Sequence, residues 1–313
     1  MALKQVIETH EFLDTPKIKK TEVAQFLRDW GLKKQEIELK EIEGEKGKTL
    51  FVKICIPGKK GKSKGGSSPT LGIIGRLGGI GARPAQLGLV SDADGAVTAL
   101  ATALKISSMR EKGDYLEGDI IISTHLCPQA PIIPHHPVPF MNSPVSIAVM
   151  NQYEVDARME AILSVDTTKG NRIINHRGFA ISPTVKNGYI LRVSESLLDI
   201  MQSVTGKLPV VFPITLQDIT PYGNGVFHLN SIMQPSTATQ APLVGVAITS
   251  EVPVPGCATG ANHLIDIESA VRFVLEVGKA WGKGKSEFYD KKEFQKLLNL
   301  YGPLDHLQTL GNI

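Results

Sequence analysis

TLGIIGRLGGIG, residues 70–81, is a short apolar run that ends in a glycine loop, and its reading decides the fold. SDADGAVTALATAL follows at 91–104, with Val97, Leu100, Ala101 and Leu104 on one helical face from about Asp94. GDIIISTHL at 118–126 is a second buried strand. A strand, a crossover helix and a second apolar strand form a right-handed parallel βαβ unit.

Working outward, the pattern repeats on the C-terminal side. AILSVDTT (161–168), PVVFPIT (209–215) and APLVGVAITSEV (241–252) are predicted as strands. Leu197, Ile200, Met201 and Val204 mark a helix, and a last strong helix runs from about Asp266 through Val271 and Leu275. CPQAPIIPHHPVPF (127–140) is too rich in proline to join a sheet ladder, and His135-His136 within it reads as a surface turn. On the N-terminal side, Val23, Phe26, Leu27 and Trp30 describe an amphipathic helix behind Thr21 as N-cap. A hairpin across 44–47 follows, then a Gly/Ser/Lys stretch at 58–69 that reads as a solvated, mobile loop. GKS at 61–63 is no phosphate loop, because Ile56 stands where its first glycine belongs.

The expected architecture is α/β: a three-layer α/β/α arrangement around a mixed, mostly parallel sheet, with an N-terminal helix and hairpin extension. The expected division is an extension at 1–68, a core at 69–282 and a C-terminal extension at 283–313. A net charge of +3 on 34 basic and 31 acidic side chains, much of it within 59–64, gives no argument for nucleic acid. Three scattered cysteines form neither a disulfide framework nor a zinc-finger spacing, which fits a reduced cytoplasm. No leader-like or bilayer-length apolar run is present, so no membrane association is expected.

In open α/β sheets the C-terminal ends of the strands form the ligand crevice, and four of the predicted strands end in polar residues. Arg76, among Gly75, Gly78, Gly79 and Gly81, is expected to clamp a carboxylate or phosphate where the glycines let backbone approach a ligand. His125 and Cys127, two apart in an extended chain, should face one pocket as thiolate and base, as soft-metal ligands, or as inert packing. Asp94 suits a helix N-terminus, whereas Asp92 could point into the crevice. Asp166, at the end of a buried strand, needs either a metal or a cationic partner, and Lys169, Asn171, His176 and Arg177 follow it closely.

The order of these pieces, from about residue 69 to 281, resembles the co-catalytic zinc aminopeptidases, the deblocking and glutamyl type especially. The resemblance rests on the glycine-loop strand end, the Asp-led helix SDADGAVTALATAL, the strands GDIIISTHLCP and AILSVDTT, and the final helix NHLIDIESAVRFV. It implies a zinc-peptidase-like sheet, with Asp92 as the metal-bridging aspartate and Asp166 as a further metal carboxylate. Arg76 stands in place of the first histidine and Gly78 in place of the base-orienting aspartate. Cys127-Pro128 or Pro128-Gln129 falls near the paired glutamates, and the last histidine would land near Thr259. The standard two-zinc site is therefore not expected, and one divalent ion, zinc or manganese, is what remains open. The whole chain is also similar to a bacterial family of uncharacterised proteins that shares PTLGIIGRLGGIGARP, DTTKGNR and PVPGCATGA.

Two expectations follow. One is a hydrolase-like protein acting on a small amide or amino-acid-derived compound, with Asp92 and Asp166 holding a metal, His125, Cys127 or His263 as catalytic groups, and Arg76, Gly78, Gly79, Lys169 and Asn171 binding substrate. The alternative is a non-catalytic protein that binds a small anion or carboxylate in the same pocket. Either is compatible with a homo-oligomer.

Overall fold

A computed structural model describes residues 1–15, 17–76, 78–79, 89–128 and 130–311. Gly81 and Gln129 lie outside the described residues. In chain order the elements are α1 (Leu3–Leu13), α2 (Lys20–Asp29), β1 (Ile37–Gly44), β2 (Gly47–Ile56), β3 (Leu71–Gly75), α3 (Asp94–Glu111), β4 (Ile120–Leu126), β5 (Ile132–Ile133), β6 (Phe140–Met141) and α4 (Ile147–Glu154). They continue with β7 (Ala161–Thr167), β8 (Gly178–Ile181), β9 (Val185–Lys186), β10 (Tyr189–Ile190), α5 (Glu195–Thr205), β11 (Leu243–Thr249), α6 (Leu264–Gly282) and α7 (Lys291–Tyr301).

The main sheet runs β1-β2-β4-β3-β7-β11-β9-β10, with β8 also paired to β11. Neighbours among β4, β3, β7 and β11 are parallel, while β2 joins β4 antiparallel and β8 and β9 join β11 antiparallel. Because side chains alternate along a strand, each strand feeds both faces. Leu71 and Ile73, Ile120 and Ile122, Leu163 and Val165, and Val244, Val246 and Ile248 join the core under α1, α3, α5 and α6. Ile74, Ile121, Ile162 and Ala247 join a second core on the opposite face, with Phe212, Ile232 and Met233 from irregular chain. That second layer is thin. Its helix is α4, which packs on β2 and β4 through Met150 and Phe51.

The chain leaves β3 for its neighbour β4 through α3, then passes back across β3 to β7 through α4 on the other face. Strand order therefore reverses at β3, where a crevice is expected in such a sheet. Gly95, in the first turn of α3, allows this close crossing: a Cβ there would lie 2.4 Å from the Arg76 carbonyl and 2.6 Å from that of Val165.

Several expectations are corrected. PVVFPIT is not a strand but irregular chain with one isolated bridge, Ile181 to Val211, since its prolines remove ladder donors. The stretch at 58–69 is tied down: the Asp119 carboxylate accepts from the Gly58 amide (2.8 Å), the Ser63 amide (2.8 Å) and the Ser63 hydroxyl (2.8 Å). The amphipathic helix α2 is capped at Lys19 rather than Thr21, with Glu22 accepting from the Lys19 amide at 2.9 Å. α6 starts at Leu264, two residues before Asp266. The proline-rich passage stays off the main sheet and pairs within itself as β5 and β6. Among the described residues no helix is long and apolar enough to cross a membrane.

Candidate functional site

Three side chains reach the α4 side of the sheet by simple alternation: Arg76 two residues beyond Ile74, His125 four beyond Ile121, and Asp166 four beyond Ile162. They come from the C-terminal ends of the adjacent strands β3, β4 and β7, and all three are buried. Arg76, His125 and Asp166 thus lie at adjacent strand ends on one side of the sheet.

What meets them was not expected. Glu154, the last residue of α4, is fully buried and serves two bases at once. Its Oε2 accepts from Arg76 Nη1 at 2.5 Å, and its Oε1 pairs with His125 Nδ1. Burial opposes ionisation of Glu154, but Arg76 and His125 more than offset it, so its pKa lies below the ordinary value. Asn151, one helical turn earlier, accepts from Arg76 Nη1 at 3.4 Å and donates to the Gln234 carbonyl and the Thr237 hydroxyl, each at 3.0 Å. Asn151 and Glu154 stand at i, i+3 on one face of the helix IAVMNQYE, and that spacing of polar residues is the signal that could have revealed them.

The carboxylates divide by partner. Asp94 meets Lys169 Nζ and accepts from Asn262 Nδ2 at 2.6 Å, and Lys169 also donates to the Ala261 carbonyl at 2.7 Å. Burial pushes the Asp94 pKa up while Lys169 and Asn262 pull against it. Lys169 is therefore committed to Asp94 rather than aimed at a ligand. Asp166 accepts from the Thr167 amide and the Ser231 hydroxyl, both at 2.7 Å, yet burial still pushes it up to about 7. Asp92, in a 3-10 turn before α3, is raised well above the carboxylate range by burial and then by the nearby charges of Asp166 and Asp94. Two buried acids of elevated pKa side by side favour a proton or a cation between them. Asp92 and Asp166 are the residues that could hold a metal. Among the described residues no group of three or more His, Cys, Asp or Glu is arranged to hold one.

Other predicted residues are placed elsewhere or occupied. Asn171 spends its amide on its own loop, donating to the Thr168 carbonyl (2.9 Å) and accepting from the amides of Ile173 (2.9 Å) and Ile174 (2.6 Å). Such local bonding is the usual use of asparagine in a turn. A Cβ at Gly78 would lie 1.6 Å from the His125 carbonyl, and one at Gly79 1.2 Å from Met141 Cε, so these glycines admit protein rather than ligand. His263 caps α6, is 53% exposed on its side chain and faces Asp266 at 3.4 Å.

Cys127 does not pair with His125. Its sulfur contacts the Thr49 hydroxyl at 3.3 Å, and burial pushes the thiol up to about 12. A buried thiol of that pKa makes no thiolate at neutral pH. Native protein treated with iodoacetamide at pH 8 should therefore leave Cys127 unmodified, with alkylation appearing only after denaturation; rapid native labelling in peptide mass mapping would contradict this.

The rim carries groups that sequence reading passed over. Tyr222 is pushed up to about 12 by burial and then by Asp166, and its ring packs tilted against His228 with centroids 4.2 Å apart. Both ring nitrogens of His228 are buried without a partner among the described residues. One family model, described as Protein of unknown function (DUF1177), matches residues 40–311. No curated protein matches the sequence.

Proposed function

The chain belongs to the DUF1177 family, and since that description assigns no chemistry, we propose from the crevice itself that the protein is a hydrolase-like enzyme. Its substrate is a small amide or amino-acid-derived compound, and its site is a reduced form of the zinc-peptidase type. The observation that carries the reading is the buried acid pair Asp92 and Asp166 beside the His125 and Glu154 couple, at the strand-order reversal. Perturbed buried acids next to a carboxylate-oriented histidine, at strand ends where the strand order reverses, are the groups that proton transfer to or from water requires.

In this reading Glu154 fixes the ring of His125 through Nδ1, leaving the other ring nitrogen to take a proton from the attacking water. Asp92 and Asp166 would hold one divalent ion, zinc or manganese, which would lower the pKa of a bound water and polarise the amide. Lys169 holds Asp94 at the head of α3 and so positions the turn that carries Asp92.

The test uses chelator-treated protein, to which zinc or manganese is returned, and a panel of N-acylated amino acids assayed for free amine. A cation at about 100 times its Kd should stabilise the native protein by about 2.7 kcal/mol. The Asp92→Asn, Asp166→Asn double variant should lose that gain, and both it and His125→Gln should lose amine release. Absence of cleavage across the panel, with or without cation, would remove the hydrolase reading and favour the non-catalytic binding protein.

A further inference from the structure

Arg76 is 0% exposed, and its guanidinium is only half used. Nη1 donates to Glu154 at 2.5 Å and Asn151 at 3.4 Å, while Nε and Nη2 have no partner among the described residues. Those two nitrogens lie along one edge of the planar group, the side-on fork whose parallel N–H bonds match the two oxygens of a carboxylate. Buried donors of a cation left unmatched are costly, so this edge calls for an acceptor.

The neighbouring acids do not supply it. Both oxygens of Glu154 are engaged, by Nη1 and by His125. Asp166 accepts from Thr167 and Ser231, and Asp94 from Lys169 and Asn262. The guanidinium is also held in place before any ligand arrives, because Asn151 is itself fixed by Gln234 and Thr237.

We propose that the Nε and Nη2 edge of Arg76 receives a carboxylate, so that the ligand of this strand-end cluster is a small compound with one free carboxylate bound side-on. A planar monoanion uses both donors of a single fork. A phosphate dianion would need more donors and would face Glu154, Asp92 and Asp166 across a short space, which disfavours it. The inference rests on the proposed function for one point alone, that the carboxylate belongs to the substrate. Under that reading the substrate is an acylated amino acid or similar compound whose free carboxylate is anchored while the amide is cleaved.

The experiment needs no turnover and no metal. In the full-length protein labelled with 15N and treated with chelator, the Arg76 Nε–H resonance is identified as the side-chain peak absent from Arg76→Lys. Acetate should move that peak saturably; acetamide, of the same shape without charge, and inorganic phosphate should not. In Arg76→Lys, acetate binding followed by calorimetry should weaken roughly tenfold or more, since an ammonium keeps the charge but not the fork. Should that variant not fold, acetate soaked into wild-type crystals decides the matter, with a carboxylate on the Nε and Nη2 edge as the expected density. No saturable shift, an equal response to acetamide or phosphate, or a water that acetate does not displace would each overturn the proposal. Failure of amide cleavage leaves these outcomes unchanged, so the two readings fail separately.

Discussion

Replacing Glu154 with alanine should lower stability by about 3–5 kcal/mol, the usual cost of removing one member of a buried ion pair. Glu154 is fully buried, and it is the acceptor for Arg76 Nη1 at 2.5 Å as well as the partner of His125 Nδ1. Alanine would leave a buried guanidinium with only Asn151, at 3.4 Å, among the described residues. The loss reports the stranded cation rather than the net worth of the pair. Arg76→Met with Glu154→Leu should therefore recover much of it, because the guanidinium and the carboxylate leave together, although the His125 ring loses its Nδ1 partner. Urea titrations of wild type, the single variant and the double variant measure each quantity. A single-variant loss under about 1 kcal/mol, the range of an exposed pair, would mean that Arg76 finds water or another acceptor.

A second large effect concerns pH. Asp166 is pushed up to about 7 by burial, whereas an unfolded aspartate titrates near 3.9. Between those values the native protein holds the proton and the unfolded chain does not, so stability falls as pH rises. The contribution is fully present below about pH 4 and gone above about pH 7, and at about 1.4 kcal/mol per unit it is on the order of 4 kcal/mol. Asp166→Asn keeps an acceptor for the Thr167 amide and offers its own amide to the Ser231 hydroxyl. In chelator the variant should gain several kcal/mol over wild type at pH 8, and the difference should shrink to near zero at pH 4. Equal stability of the two proteins at pH 8 would show that Asp166 ionises in the fold without penalty. Added zinc or manganese should narrow the gap at pH 8 from the wild-type side, if the acid pair takes a cation.

The sheet was legible because its strands are apolar runs whose ends are marked by glycine and polar residues, as in LGIIG before Arg76 and AILSV before Asp166. Alternation then puts Arg76, His125 and Asp166 on one face without any knowledge of distant contacts. The partners of those residues were not legible. Glu154 reaches Arg76 across 78 positions, and Lys169 reaches Asp94 across 75, through helix placement that no local pattern encodes. PVVFPIT misled because an apolar run resembles a strand until its two prolines are weighed. Asn171 misled for the opposite reason, since its partners lie within three residues and consume it.

The dependence of the crevice on strand alternation limits how such a site can change. One residue inserted or deleted within β3, β4 or β7 would turn Arg76, His125 or Asp166 toward the α3 and α6 side, away from Glu154, and would bury a charge among aliphatic side chains. Drift in chain length is therefore tolerable only beyond the strand ends, in the connections, where added residues leave the facing unchanged. The chemistry is held constant by counting, while the loops around it are free to revise what enters.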